Sequence, residues 1–108
     1  MNMLTYSKAK LLAQTRIDLM GAIKSEIIEE ETIVKPYGWV FFYQSSEFLR
    51  SRKAEHQLAG NSPILIDRIN GELRVFGTAR PIADYLEEYE SSIPQSRLEM
   101  LHQSRQNE

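Results

Sequence analysis

The residues that could perform acid–base or metal chemistry are few in this sequence. There are two histidines and no cysteine. His56 and His102 lie in polar surroundings without a partner at a metal-ligand spacing, so we interpret both as solvated. The lack of cysteine removes disulfides, thiolate metal sites and cysteine nucleophiles, and no serine has a histidine and an acid placed around it. We therefore predict no enzyme, no metal and no cofactor.

Carboxylates form the densest clusters of charge. Helical spacing places Asp84 beside Glu87 and Glu88, where an exposed helix face explains them without an active site. The adjacent Glu29, Glu30 and Glu31 fit either a docking surface for a basic partner or simple solvation, and solvation is the default interpretation.

Two further motifs could suggest nucleotide or nucleic-acid binding. The turn at residues 60–63 lacks the glycine pattern and the lysine of a phosphate loop, and we expect Asn61 to hydrogen-bond nearby backbone there. Trp39, Phe41 and Tyr43 could stack on bases, but no basic groove accompanies them, and the net charge is −2. Core packing is the better interpretation, so we predict no nucleic-acid partner.

Length and composition predict one soluble domain. The 108 residues suffice for a single core, with 42% apolar and 26% charged residues. The N-terminal residues lack the pattern of a signal peptide, and the longest apolar run, residues 39–43, is too short to span a bilayer. We predict a cytoplasmic protein without membrane contact.

The elements in the first half are predicted from periodicity and turn signals. Thr5 is a suitable N-cap for a helix over residues 6–23, whose apolar residues recur at steps of three and four. An irregular first strand at residues 26–35 and a turn at residues 36–38 follow. Residues 39–43 are apolar on both faces and predict a central strand.

The second half begins with weaker signals. Ser45 or Ser46 could cap a short helix, and another turn could follow at residues 54–58. Residues 64–66 and 73–76 predict two strands of a hairpin, because Asn70-Gly71 between them tolerates positive φ. Pro81 starts a second helix.

The predicted class is α+β, in the order α-β-β-β-β-α, with two helices packed on an antiparallel sheet of about four strands. Residues 1–92 form the domain, and residues 93–108 form a polar tail for which we expect little order beyond a frayed turn.

Several motifs together resemble one family. They are Gly38-Trp39-Val40-Phe41-Phe42-Tyr43-Gln44-Ser45, Phe48-Leu49, Leu58-Ala59-Gly60-Asn61-Ser62-Pro63-Ile64, Gly71-Glu72, Gly77-Thr78-Ala79-Arg80-Pro81 and Tyr85-Leu86-Glu87-Glu88-Tyr89. In order and spacing the sequence resembles the immunity protein 35 family, which includes the YrhB-like small bacterial proteins. The likeness covers residues 5–90 and leaves the tail outside.

The resemblance implies a small α+β protein without catalysis that binds a toxin of a polymorphic toxin system and so protects the producing cell. The recurring residues are then structural: Trp39 and Phe41 in the core, glycines at turns and prolines at element starts. The full signature is Gly38, Trp39, Phe41, Gly60, Asn61, Pro63, Gly71, Gly77, Thr78, Pro81 and Tyr85.

The partner surface stays open, because immunity surfaces diverge with their toxins. The first hypothesis is inhibition of a cognate toxin through the acidic residues, namely Glu29, Glu30, Glu31, Asp84, Glu87 and Glu88. The alternative is a chaperone-like holdase, as linked to the YrhB branch, although the sequence offers little apolar surface beyond its core. A homodimer through the first-strand edge also stays open.

Overall fold

The fold is described from a computed structural model, which covers residues 3–106. The chain divides into two compact units, Met1–Thr78 and Ala79–Glu108. The first unit contains a four-stranded antiparallel sheet, a two-stranded sheet and two α-helices, and the second contains two α-helices. The α+β class and the antiparallel sheet of four strands are confirmed.

The first helix begins at its predicted N-cap. α1 spans Tyr6–Met20, and the Thr5 hydroxyl accepts a hydrogen bond from the Lys8 N–H at 3.3 Å. The predicted continuation to residue 23 is wrong. Gly21 takes an extended conformation at φ −115°, and Ile23 is 56% exposed, so no burial offsets the low helix propensity of glycine there.

The predicted first strand is two strands. β1 (Ser25–Ile27) and β2 (Ile33–Lys35) flank a short 3-10 helix at Glu29–Glu31. In that helix the Glu31 N–H donates to the Ile28 carbonyl at 3.1 Å. The charged run therefore turns the chain, and β2 enters a different sheet from β1.

The predicted central strand also divides. β3 (Gly38–Phe41) lies between β2 and β5 in the larger sheet, whereas β4 (Tyr43–Ser45) pairs with β1. Phe42 lies between them, and its carbonyl accepts a hydrogen bond from the Ile28 N–H at 2.8 Å. The apolar run thus contributes to both sheets.

The hairpin of β5 (Ile64–Asp67) and β6 (Leu73–Val75) follows the prediction in outline. The turn is organised by the buried Asp67 carboxylate, which accepts from the N–H groups of Ile69 and Asn70 at 2.8 and 3.3 Å. Gly71 has φ +73°, whereas Asn70 does not reach positive φ. The connection is therefore an aspartate-capped loop and not a two-residue turn.

The core of the first unit lies between α1 and one face of the larger sheet. The helix contributes small residues at four-residue spacing, which allows close approach to the sheet. The buried members are Ala9, Ala13 and Ile17 of α1 and Trp39, Phe41, Ile64 and Ile66 of β3 and β5, with Ile27 and Tyr43 alongside. Each large apolar side chain buried there contributes about 1.5–3 kcal/mol.

Between β4 and β5 the chain forms α2 (Ser46–Ser51) and a 3-10 helix at Ala54–His56. Ser45 is the N-cap of α2, since its hydroxyl accepts from the Phe48 N–H at 3.0 Å.

The second unit contains α3 (Ile82–Ser92) and α4 (Gln95–Gln106). Pro81 occupies the N-cap position of α3, as expected from its fixed φ. The sequence analysis did not anticipate a helix as long as α4. The division into a domain of residues 1–92 and a poorly ordered tail stays a prediction.

Candidate partner-binding surfaces

The acidic run at Glu29–Glu31 presents unequal charges. Glu29 forms an ion pair with the ammonium group of Lys10 and accepts a hydrogen bond from the Tyr6 hydroxyl at 3.4 Å. The hydrogen bond from Lys10 and its positive charge lower the pKa of Glu29, and the hydrogen bond to Glu29 and its negative charge raise the pKa of Lys10. Glu30 and Glu31 are exposed and make no ion pair with the side chains of residues 3–102, which are the ones the structure describes. Two of the three carboxylates are thus available to a partner.

The α3 face has a similar arrangement in its own unit. Both carboxylate oxygens of Glu88 accept from the Arg80 guanidinium, at 2.6 and 3.0 Å. This bidentate pair lowers the pKa of Glu88, and the same guanidinium lies over the Tyr85 ring at 4.5 Å. Asp84 and Glu87 are exposed beside it without an ion pair to any described residue. They line an open depression of about 400 Å³ with Arg80 and Glu88.

Of the predicted partner-binding residues, Glu29 and Glu88 are therefore neutralised within the chain. Glu30, Glu31, Asp84 and Glu87 present free charge. Sequence spacing could not distinguish the paired carboxylates from the free ones, since Lys10 precedes Glu29 by 19 residues and Arg80 precedes Glu88 by eight.

The signature residues of the larger sheet occupy tightly packed positions. A Cβ on Gly38 would lie 2.2 Å from the Ile66 carbonyl oxygen, so β3 and β5 approach closely there. Trp39 and Phe41 are 6% and 0% exposed, and the guanidinium of Arg68 lies 5.8 Å from the Trp39 ring centroid.

The signature residues before β5 shape the connection into that strand. Asn61 donates from its side-chain amide to the Tyr43 carbonyl, and Gly60 has φ +69°. The carbonyl of the buried Pro63 accepts from the Phe76 N–H at 2.9 Å.

The remaining signature residues are more exposed. Gly77 and Thr78 are exposed residues between β6 and α3, and Gly77 does not have a positive φ. Gly71 closes the hairpin loop and Pro81 precedes α3. Tyr85 is half-buried beneath Arg80.

Sequence reasoning did not identify a buried polar link between β4 and the loop before β5. The Gln44 side chain, 6% exposed, accepts from the Leu58 N–H at 2.6 Å and from the Ser45 N–H at 2.9 Å. Gln14 makes a second link, donating to the Ser25 carbonyl at 2.9 Å and accepting from the Ile27 N–H at 3.3 Å. Both glutamines satisfy backbone groups at β1 and β4.

An apolar groove at the end of α1 was also missed. It has a volume of about 300 Å³. Its lining comes from three segments of the first unit: Ile17, Met20, Gly21, Ala22, Ile23 and Ser25; Tyr43; and Leu58, Ala59 and Asn61. The exposed Met20 and Ile23 are the sequence signal for it, because the helical stripe continues past the point where α1 ends.

Metal ligands and membrane spans were searched over the same part of the chain. Residues 3–106 contain no group of three or more histidine or carboxylate side chains placed to hold a metal ion. None of the helices described has the length and apolar character needed to cross a bilayer.

Comparison with known proteins gives two matches. Residues 7–92 match the family described as Immunity protein 35. A relative in Escherichia coli (strain K12), described as "Uncharacterized protein YrhB", is 43% identical over 53 residues, which cover 49% of this chain and 56% of that protein. The chain thus spans about half the length of this curated relative. No solved structure matches significantly.

Proposed function

Because this chain belongs to the immunity protein 35 family, we propose that it binds a cognate toxin of a bacterial polymorphic toxin system and neutralises it stoichiometrically, without catalysis. The family match over residues 7–92 is the observation that carries the proposal, since it spans most of the chain. Family membership implies a toxin-neutralising role. The mode of inhibition, the surface used and a cytoplasmic site of action are our own inferences.

We place the toxin contact on the free carboxylates. Glu30 and Glu31 in one unit and Asp84 and Glu87 in the other are exposed and form no ion pair with a described cation. A basic toxin surface would supply the missing positive charge and would be steered to the protein at long range. Glu29 and Glu88 already have cations, so we expect them to contribute less.

The test begins with a pull-down of the tagged full chain from the native cell, which should recover a partner with a toxin-like domain. Induced expression of that domain should arrest growth, and co-expression of the full chain should restore it. With purified proteins, toxin activity should fall linearly to zero at one equivalent of the chain and should not decline further with time. If toxin activity keeps falling with time when less than one equivalent of the chain is present, each chain inactivates more than one toxin molecule. That result would overturn the non-catalytic mode.

Charge reversal then tests the placement. The double variants Glu30→Lys/Glu31→Lys and Asp84→Lys/Glu87→Lys should each weaken affinity about tenfold or more, mainly through slower association at low salt. Glu99→Lys on α4 is the matched control, since it reverses an exposed charge outside the family match. If both double variants bind as the parent does, the toxin uses another surface, whereas neutralisation itself is judged by the growth assay.

A holdase role is the second candidate, and one observation favours it. Contrary to the expectation from sequence, α1 exposes large apolar side chains: Leu11, Leu19 and Met20 are 66%, 81% and 45% exposed. Such a surface could retain unfolded clients. The assay is light scattering of heat-treated citrate synthase with and without the chain. A holdase should suppress aggregation, and Leu11→Gln/Leu19→Gln should suppress it less. Equal scattering with and without the chain would remove this candidate.

A further inference from the structure

The groove at the end of α1 combines a mainly apolar lining with the side chain of Tyr43. Ile17 and Tyr43 are nearly fully buried, at 3% and 8% exposure, whereas Met20 and Ile23 are about half exposed. Across from them lie Leu58 and Ala59. The volume of about 300 Å³ is at the lower end of the range for ligand pockets and suits one or two apolar side chains of a peptide.

Tyr43 lines the groove, and its hydroxyl makes no hydrogen bond with the described backbone or with the side chains of residues 3–102. Burial raises the pKa of Tyr43, and the positive charge of Arg16 opposes that shift. The hydroxyl is therefore protonated at neutral pH, so it is available as a donor close to a cation.

Two cations and one carboxylate lie close to the groove lining along the chain. Arg16 and Lys24 are exposed and form no ion pair with any described side chain. Arg16 lies one helical turn before Met20 of the lining and its charge acts on Tyr43, and Lys24 follows Ile23 of the lining. Asp18 lies on the same helix, and the hydrogen bond that it accepts from Gln14 at 2.9 Å leaves its negative charge in place, so positive charge is in excess. A ligand with a negative charge would satisfy the free donors, whereas a basic ligand would meet two unpaired cations.

We propose that this groove binds a peptide segment of a partner protein in which a large apolar side chain is followed by a carboxylate. The apolar side chain fills the space between α1 and residues 58–59. The carboxylate accepts a hydrogen bond from the Tyr43 hydroxyl on the side of Arg16. This site is distinct from the acidic run at Glu29–Glu31: Arg16 follows Lys10, the ion-pair partner of Glu29, by six residues, or about 9 Å along α1. The inference goes beyond toxin binding and does not depend on it.

The probes are three capped peptides, acetyl-Gly-Leu-Leu-Asp-Gly-amide and its counterparts with Asn or Lys in place of Asp. Each is titrated into the full chain, and amide chemical shifts are followed by NMR. The Asp peptide should shift amides at residues 16–25, 43–44 and 58–61. It should bind about tenfold more tightly than the Lys peptide, because a charge-assisted hydrogen bond and an opposite charge act together.

Two variants test the polar group and the charge. Tyr43→Phe keeps the buried ring and removes the hydroxyl, and Arg16→Gln removes the cation. Each should reduce the preference for the Asp peptide severalfold while leaving affinity for the Asn peptide nearly unchanged. Lys8→Gln, an exposed cation two turns earlier on α1, is the matched control and should leave the preference intact. If Tyr43→Phe does not fold, Arg16→Gln still decides the question.

Three results would overturn the inference. Equal affinity for the three peptides would mean unselective apolar contact, as in a holdase. Shifts located elsewhere, or no binding at all, would mean that the groove is not the site. Concentration-dependent sedimentation of the free chain that Ile23→Glu abolishes would show that a second copy of the chain fills the groove.

Discussion

Replacing Gly38 by alanine tests the closest backbone approach in the larger sheet. Gly38 pairs with Asp67 at the start of β3, and its hypothetical Cβ lies 2.2 Å from the Ile66 carbonyl oxygen and 3.2 Å from the Asp67 Cα. These neighbours are backbone atoms of β5, a strand that pairs with β3 on one side and β6 on the other. No flexible side chain can move away to make room.

The magnitude follows from that geometry. A relaxed C···O contact is about 3.3–3.6 Å, so the two strands must separate by about 1 Å. Such a shift strains the hydrogen bonds between β3 and β5 and loosens the packing of Trp39 against Ile66. Together these effects lower the free energy of unfolding by about 3 kcal/mol or more. That is a large part of a typical total stability of about 5–15 kcal/mol. It corresponds to a lower Tm by about 12–24 °C in a domain of this size.

Gly60→Ala is the matched control. Gly60 has φ +69°, but nothing lies within 4 Å of its hypothetical Cβ, so only the backbone conformation opposes alanine, at about 1–2 kcal/mol. Urea unfolding followed by far-UV circular dichroism gives both free energies. If Gly38→Ala costs no more than Gly60→Ala, β3 and β5 do not approach as described and the steric argument fails.

Two further predictions concern a helix cap and an ion pair. Ser45→Ala should cost about 1–2 kcal/mol because it removes the α2 cap. Ser46→Ala should be neutral or stabilising, because the buried Ser46 hydroxyl has no hydrogen-bond partner in the described part of the chain. Equal urea midpoints for the Ser45→Ala and Ser46→Ala variants would contradict the assignment of Ser45 as the cap of α2. Lys10 lowers the pKa of Glu29, so the pair stabilises the fold above the ordinary value of 4.5 and less as pH falls through the lowered pKa. Glu29→Gln should therefore be less stable than the parent at neutral pH and equal to it in acid, with Glu30→Gln unchanged throughout. A difference that persists in acid would contradict the linkage.

Local signals predicted those parts of the fold that local interactions determine. The N-cap at Thr5, the cap of α2 and the hairpin of β5 and β6 depend on residues only a few positions apart. At Phe42 the chain passes from the larger sheet to the two-stranded sheet. This change depends on the pairing of β1 with β4, which an apolar run does not reveal. The end of α1 depended on whether Ile23 is buried, which only the tertiary structure decides.

The candidate surfaces show the same limit. The sequence indicated which carboxylates cluster, but an ion pair such as Lys10 with Glu29 forms only when β1 and its following turn lie against α1. The groove needed three segments to meet, at residues 17–25, 43 and 58–61. Its one sequence signal, an apolar stripe running beyond the helix, has the same pattern as a helix face that packs on the core.

Lys10 and Arg80, the cations that neutralise Glu29 and Glu88, also determine the net charge of each acidic surface. Exchanging Lys10 or Arg80 for a neutral residue would release the carboxylate of Glu29 or Glu88 to solvent without altering any carboxylate of the two surfaces. The negative charge of each acidic surface can therefore change through substitutions at positions that carry no carboxylate. Comparisons restricted to the carboxylates would miss such changes, and the identities at positions 10 and 80 should be compared together with those at 29 and 88.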